Sequence, residues 1–145
     1  MQTKYKLPTD LKMRCMSLVR GYERMLEVYE EKRADIICGM GGVMDGQPRG
    51  NGVGDATFSK AEQLLRLEEE YDTKAIRVID QAKFCIAAED ESAEEGKRIA
   101  DAVMDSCVEG RNFVFEYRAL YISKSSFYRL RQKFLYDIAV GMGFI

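Results

Sequence analysis

Ser123-Lys124-Ser125-Ser126-Phe127-Tyr128-Arg129-Leu130-Arg131-Gln132-Lys133-Phe134-Leu135 decides the fold, because its side chains sort onto two sides of one helix. At about 100° per residue, Phe127, Leu130, Phe134 and Leu135 gather with Ile138 on one side. The other side collects Ser125, Arg129, Gln132 and Lys133, flanked by Ser126 and Tyr128. Lys124 stands in the first turn. Arg131 falls near the edge of the apolar stripe and is the weaker candidate for contact with a partner. Ser123 is a residue type whose oxygen accepts a hydrogen bond from a first-turn amide, so it predicts a helix from Lys124 to about Val140.

Working outward, Tyr121-Ile122 reads as a turn and Phe113–Leu120 as a short helix capped by Asn112. Before them, Ser92 and Glu95 have capping-box spacing, with carboxylates favouring a helix N-terminus. That helix runs through Ile99, Val103, Met104 and Cys107 to Val108, and Gly110 can end it. Helix, short helix, tight turn and longer helix is the order of a helix-turn-helix unit.

Two longer patterns precede it. Leu11, Cys15, Leu18, Tyr22, Met25, Tyr29 and Ile36 step by three or four residues, mostly, predicting one helix from Thr9 to about Ile37. Thr9 is its expected N-cap and Gly39 its expected C′ residue. Leu64, Leu67, Tyr71, Ala75, Val78, Ala82 and Cys85 predict a second helix, Phe58–Ala88, capped by Asp55 or Thr57. Leu65, Ile79 and Ile86 join this stripe, and it widens into Ile76 and Phe84, so a second chain is an expected partner. Between the two lie residues 39–54, of which seven of sixteen are glycine. No helix or strand is expected to persist through them, and the P-loop spacing is absent. The expected architecture is all-α: residues 1–90 form a long helical hairpin with a Gly-rich connector at 39–56, and residues 91–145 a small helix-turn-helix unit.

Composition narrows the chemistry. The 145 residues are 46% hydrophobic, with two prolines, four cysteines and no histidine. Without histidine the commonest zinc ligand and the usual neutral-pH proton shuttle are missing. Cys15, Cys38, Cys85 and Cys107 are widely separated and are expected to be reduced core residues. No Ser/His, Cys/His or metal constellation is on offer, so neither an enzyme nor a bound metal or cofactor is expected. No apolar run approaches the roughly 20 residues that cross a bilayer, and Met1–Asp10 has no apolar signal core. The expected location is the cytoplasm.

The net charge of −2 hides a segregation. Residues 1–56 carry 9 basic and 8 acidic side chains, residues 57–110 carry 7 and 14, and residues 111–145 carry 6 and 2. A polyanion is therefore repelled by the middle of the chain and attracted to its end. The residue types there suit double-stranded DNA. Arg129 offers a fork to guanine O6 and N7 or to a phosphate, and Gln132 pairs with adenine. Ser125, Ser126 and Tyr128 are hydroxyl donors to phosphate oxygens, while Lys124 and Lys133 release counterions.

Ile122 through Arg131, followed by Leu135, Ile138-Ala139 and Gly141-Met142-Gly143, resembles the C-terminus of phage-encoded transcriptional regulators of the RinA/ArpU type. Those are similar to the promoter-reading helix-turn-helix of sigma factors. Residues 45–50 and 54–57 also resemble the glycine-rich link that these regulators place between two N-terminal helices. The resemblance implies sequence-specific regulation of phage or prophage genes, with Lys124, Ser125, Ser126, Tyr128, Arg129 and Lys133 at recognition-helix positions and RNA polymerase as a further partner. One departure is Phe113-Val114-Phe115-Glu116-Tyr117, where such motifs carry an acidic-Ile-Ala centre. Two other readings stand beside this one: an oligomeric phage packaging or assembly adaptor, and a helical module that binds only protein.

Overall fold

The computed structural model describes residues 5–44, 52–109 and 122–145. The fold is all-α. Among the described residues every regular element is a helix: α1 (Thr9–Arg20), α2 (Tyr22–Met44), α3 (Gly52–Glu68), α4 (Tyr71–Ala87), α5 (Ala93–Glu109) and α6 (Lys124–Met142). No helix among them is long and apolar enough to cross a membrane. The expected short helix Phe113–Leu120, its Asn112 cap and Tyr121 lie outside the described residues.

The helix boundaries depart from the sequence reading in four places. The single helix expected from Thr9 to Ile37 is broken at Gly21, whose amide is shared between the Ser17 and Leu18 carbonyls at 3.1 Å each. Gly21 sits at φ −89°, ψ 3°, a bridge conformation that interrupts helical continuation. Thr9 is the first helical residue and not the cap. Pro8 takes that place, and its carbonyl accepts from the Lys12 amide at 2.9 Å. The glycine segment is also more helical than expected: α2 continues to Met44, so Gly39 is no C′ residue, and α3 starts at Gly52, before Asp55 and Thr57. A nucleated helix gains one backbone bond per added residue, which offsets the roughly 1 kcal/mol that each glycine costs. The second long helix is interrupted at Glu69-Glu70, where the amides turn back to Arg66 and Leu67 carbonyls at 3.1 and 3.2 Å. Three like-charged residues, Glu68 to Glu70, meet at that point. Thr73 closes the break by donating its buried hydroxyl to the Leu67 carbonyl at 2.7 Å.

Only part of the second apolar pattern is covered. Ala75, Ile79, Ala82 and Ile86 are buried at four- and three-residue steps, whereas Leu65, Tyr71 and Phe84 are exposed. Phe84 lies two residues beyond Ala82, about 200° around the helix, and so faces away from that stripe.

The chain divides into two compact units, one of Met1–Tyr22 with Arg77–Ile145, the other of Glu23–Ile76. In the second, the Tyr29 hydroxyl donates to Glu68, and Lys32 pairs with Glu70 at 3.0 Å. In the first, α1 packs on both α5 and α6, and α5 packs on α6. Its core joins Cys15 and Val19 of α1, Ile79 and Ile86 of α4, Val103 and Cys107 of α5, and Phe127, Phe134, Leu135 and Ile138 of α6, all essentially without solvent contact. Each fully buried Val, Ile, Leu or Phe among them contributes about 1.5–3 kcal/mol relative to exposure. Polar pins accompany the packing: Arg20 Nε donates to the Cys107 carbonyl at 3.4 Å, near the negative end of α5. The Arg14 guanidinium lies 4.0 Å above the Phe144 ring, and Lys83 meets Asp101 at 2.7 Å.

The four cysteines are free, but not all are core. Cys15 and Cys107 are buried, Cys85 is half-buried and Cys38 is exposed. Burial pushes the Cys15 thiol up to about 11. Burial also raises Cys107, against the opposing charge and hydrogen bond of Arg131.

Candidate nucleic-acid interface

Helix α6 begins as its sequence predicts. Ser123 is extended at φ −74°, ψ 160°, and its side-chain oxygen accepts from the Ser126 amide at 3.1 Å. At the far end Gly143 takes φ +79°, and the amides of Gly143 and Phe144 close back on Val140 and Ala139 carbonyls at 3.1 and 2.8 Å. This Schellman closure needs a left-handed residue, which glycine supplies without a Cβ clash. Phe127, Leu130, Phe134, Leu135, Ile138, Ala139 and Met142 are buried along one face. The inward half of the helical reading is thus observed.

The outward half is sorted more finely than the sequence suggested. Lys124, Ser125, Arg129 and Gln132 are exposed. Ser126 is half-buried, and its hydroxyl accepts from Ser123 Oγ at 3.0 Å, so it serves the cap. Tyr128 is half-buried with its ring edge-on to Phe127, centroids 5.7 Å apart. Lys133 is only 17% exposed and pairs with Asp137 at 2.9 Å, one turn along the same helix. Burial works to lower its pKa, but the hydrogen bond and charge of Asp137, with Glu89, carry the ammonium above its ordinary value. Arg129, by contrast, keeps 55% of its side chain in solvent.

Sequence reasoning missed two features here. The first is Glu89, in the turn after α4, whose Oε1 lies 3.8 Å from Arg129 Nη2 and whose Oε2 lies 3.8 Å from Lys133 Nζ. No local signal could have paired residues so far apart in the chain. The second is an open groove of about 950 Å³ between α4 and α6, lined by Val78, Phe84, Val140 and Gly141 among others. Gly141 was its one available hint: a Cβ there would stand 2.6 Å from a Val78 methyl, so the two helices approach closely.

The Ser92–Glu95 signature is half realised. The Glu95 amide donates to Ser92 Oγ at 3.2 Å, but the Ser92 amide donates to Asp90 at 2.9 Å in place of Glu95. Glu95 turns instead to Arg98 at 3.1 Å, which leaves its other oxygen buried without a hydrogen bond. Among the described residues no group of three His, Cys, Asp or Glu side chains is placed to hold a metal ion. No family model matches the chain, and no curated protein or solved structure matches it either.

Proposed function

We propose that the chain is a sequence-specific DNA-binding transcriptional regulator of phage or prophage genes, whose α6 enters the major groove of a duplex. The observation that supports this most is the division of α6: an anchored apolar face, with Lys124, Ser125, Arg129 and Gln132 left in solvent opposite it. An anchored helix presents its donors without paying to order them. The chain's acidic middle and basic end suit the same reading, since non-specific attraction is weak while one end still docks. The likeness of residues 122–143 to RinA/ArpU-type regulators adds promoter-proximal sites and contact with RNA polymerase to the proposal.

Selection from random duplexes with the purified protein tests it, and an enriched motif is the expected result. On that motif Arg129→Ala should weaken binding by about 1–3 kcal/mol and relax preference at one position, as loss of a base contact does. Lys124→Ala should weaken all duplexes alike and reduce the salt slope by about one. Fluorescence anisotropy at two salt concentrations reads both, and unchanged affinities would remove α6 from the interface.

A packaging or assembly adaptor is the second reading. It draws on Phe58 and Leu65, exposed seven residues apart on α3, an arrangement suited to contact with another copy. It calls for ring-sized mass in solution and no enriched motif.

A further inference from the structure

We infer that Glu89 is a specificity-determining residue of the α6 surface: its carboxylate occupies the place of a DNA phosphate between Arg129 and Lys133, and so suppresses sequence-independent binding. This rests on the DNA-binding reading of α6.

Three observations carry the inference. Arg129 and Lys133 stand one turn apart on α6, and both converge on Glu89, one on each oxygen, at 3.8 Å. A carboxylate spreads one negative charge over two oxygens, as does each duplex phosphate with its two non-bridging oxygens. The cationic pair is therefore already set to the spacing of such a group. The contacts are also long beside the 2.7–2.9 Å, roughly, of a tight charge-assisted bond, so they can be exchanged. Lys133 has a 2.9 Å partner in Asp137, and Arg129 remains more than half in solvent.

The carboxylate is held there by backbone. After α4, the Ala88 amide bonds the Phe84 carbonyl at 2.9 Å and the Glu89 amide bonds Ile86 at 3.2 Å. Ile86 is itself buried, and α5 approaches so closely at Gly96 that a Cβ would stand 2.1 Å from the Ala87 carbonyl oxygen. The backbone leading to Glu89 is thus held by bonds to α4 and by the close approach of α5.

The consequence is a penalty on any phosphate that takes up these cations. The arriving phosphate displaces Glu89 and then lies beside it, two anions in one place. A site that turns Arg129 to a base edge leaves Glu89 beside Lys133 and avoids that loss; a random duplex, which offers these cations only phosphate, does not.

The test uses a labelled 30-base-pair duplex of mixed sequence and the full chain, by anisotropy at 50 and 200 mM salt. Glu89→Gln should tighten binding about three- to fivefold at the lower salt, the upper range for an exposed ion pair, and steepen the salt slope by about 0.9. Glu91→Gln removes the same charge from the same exposed turn but breaks no ion pair with Arg129 or Lys133, and should change affinity less than about twofold. In an Arg129→Ala, Lys133→Met background, Glu89→Gln should have no effect; methionine keeps much of the apolar stem of Lys133. Equal gains from Glu89→Gln and Glu91→Gln, or a gain that persists without the two cations, would overturn the role of Glu89 while leaving DNA binding intact. Wild-type affinity in the Arg129→Ala, Lys133→Met protein, or no binding by any variant, would overturn the DNA reading of α6 and the role of Glu89 with it.

Discussion

Phe134→Ala should destabilise the protein by about 3–5 kcal/mol, the cost of removing a fully buried ring and leaving a cavity behind. Phe134 is 1% exposed, and it lies on the face of α6 that the first unit covers with α1 and α5. Domains of this size are stable by only about 5–15 kcal/mol, so the loss is a large share of the whole. Urea unfolding followed by circular dichroism reads it: with a slope of about 1–3 kcal/mol per molar, the midpoint should fall by about 1–5 M. Phe84→Ala is the matched comparison. That ring is 65% exposed, and its loss should stay within about 0.5 kcal/mol. Equal losses from the two variants would mean that the packing of α6 described above is wrong.

Gly96→Ala carries the other large effect, and its sign runs against helix propensity. Alanine in the first turns of α5 gains up to about 1 kcal/mol over glycine from propensity alone. A Cβ at this position, however, would stand 2.1 Å from the carbonyl oxygen of Ala87 and 3.0 Å from its carbon. Both are backbone atoms, so no side-chain rotation relieves the overlap, and either α4 or α5 must move. Overpacking of this kind costs typically about 1–3 kcal/mol, and here the rigid neighbour puts the net loss near 2 kcal/mol. Gly141→Ala meets only the Val78 methyls, the nearer at 2.6 Å, and should cost less because a side chain can give way. Thermal unfolding of both variants ranks them. A Gly96→Ala protein more stable than wild type would show that the turn between α4 and α5 is looser than described.

The two glycines also mark how far the sequence could be read. Gly143 carried a local sign of a left-handed cap, a glycine after an apolar run, although the helix was expected to end at about Val140 and runs to Met142. Gly96 was not, because its reason lies in the last carbonyl of a preceding helix. The same divide runs through α6. Its inward residues follow from three- and four-residue spacing, a property of one helix by itself. Its outward residues do not. Lys133 looked as accessible as Arg129 by helical position, yet the packed structure leaves it 17% exposed and paired with Asp137. The Lys133–Asp137 pair was available from its four-residue spacing, whereas Glu89 was not available from any spacing.

Breaks in the long helices were hidden for a related reason. Gly21 and Glu69-Glu70 sit within patterns whose apolar period runs on across them, so periodicity alone joined α1 to α2 and α3 to α4. The period reports which residues are apolar, and a local break in the helical hydrogen bonds leaves it nearly intact. Gly21 carried a weak breaking signal of its own, and the run of glutamates another.

All-helical character, the Ser123 cap, the α6 face built on Phe127, Leu130, Phe134 and Ile138, and the basic end of the chain were settled by composition and local spacing. These depend on neighbours within about one helical turn, which the order of residues specifies directly. Tertiary packing alone decided that α1 meets α5 and α6, that Lys133 is mostly covered while Arg129 is open, and that Glu89 reaches both. Such contacts join residues far apart in the chain, and only burial of their apolar faces against one another brings them within reach.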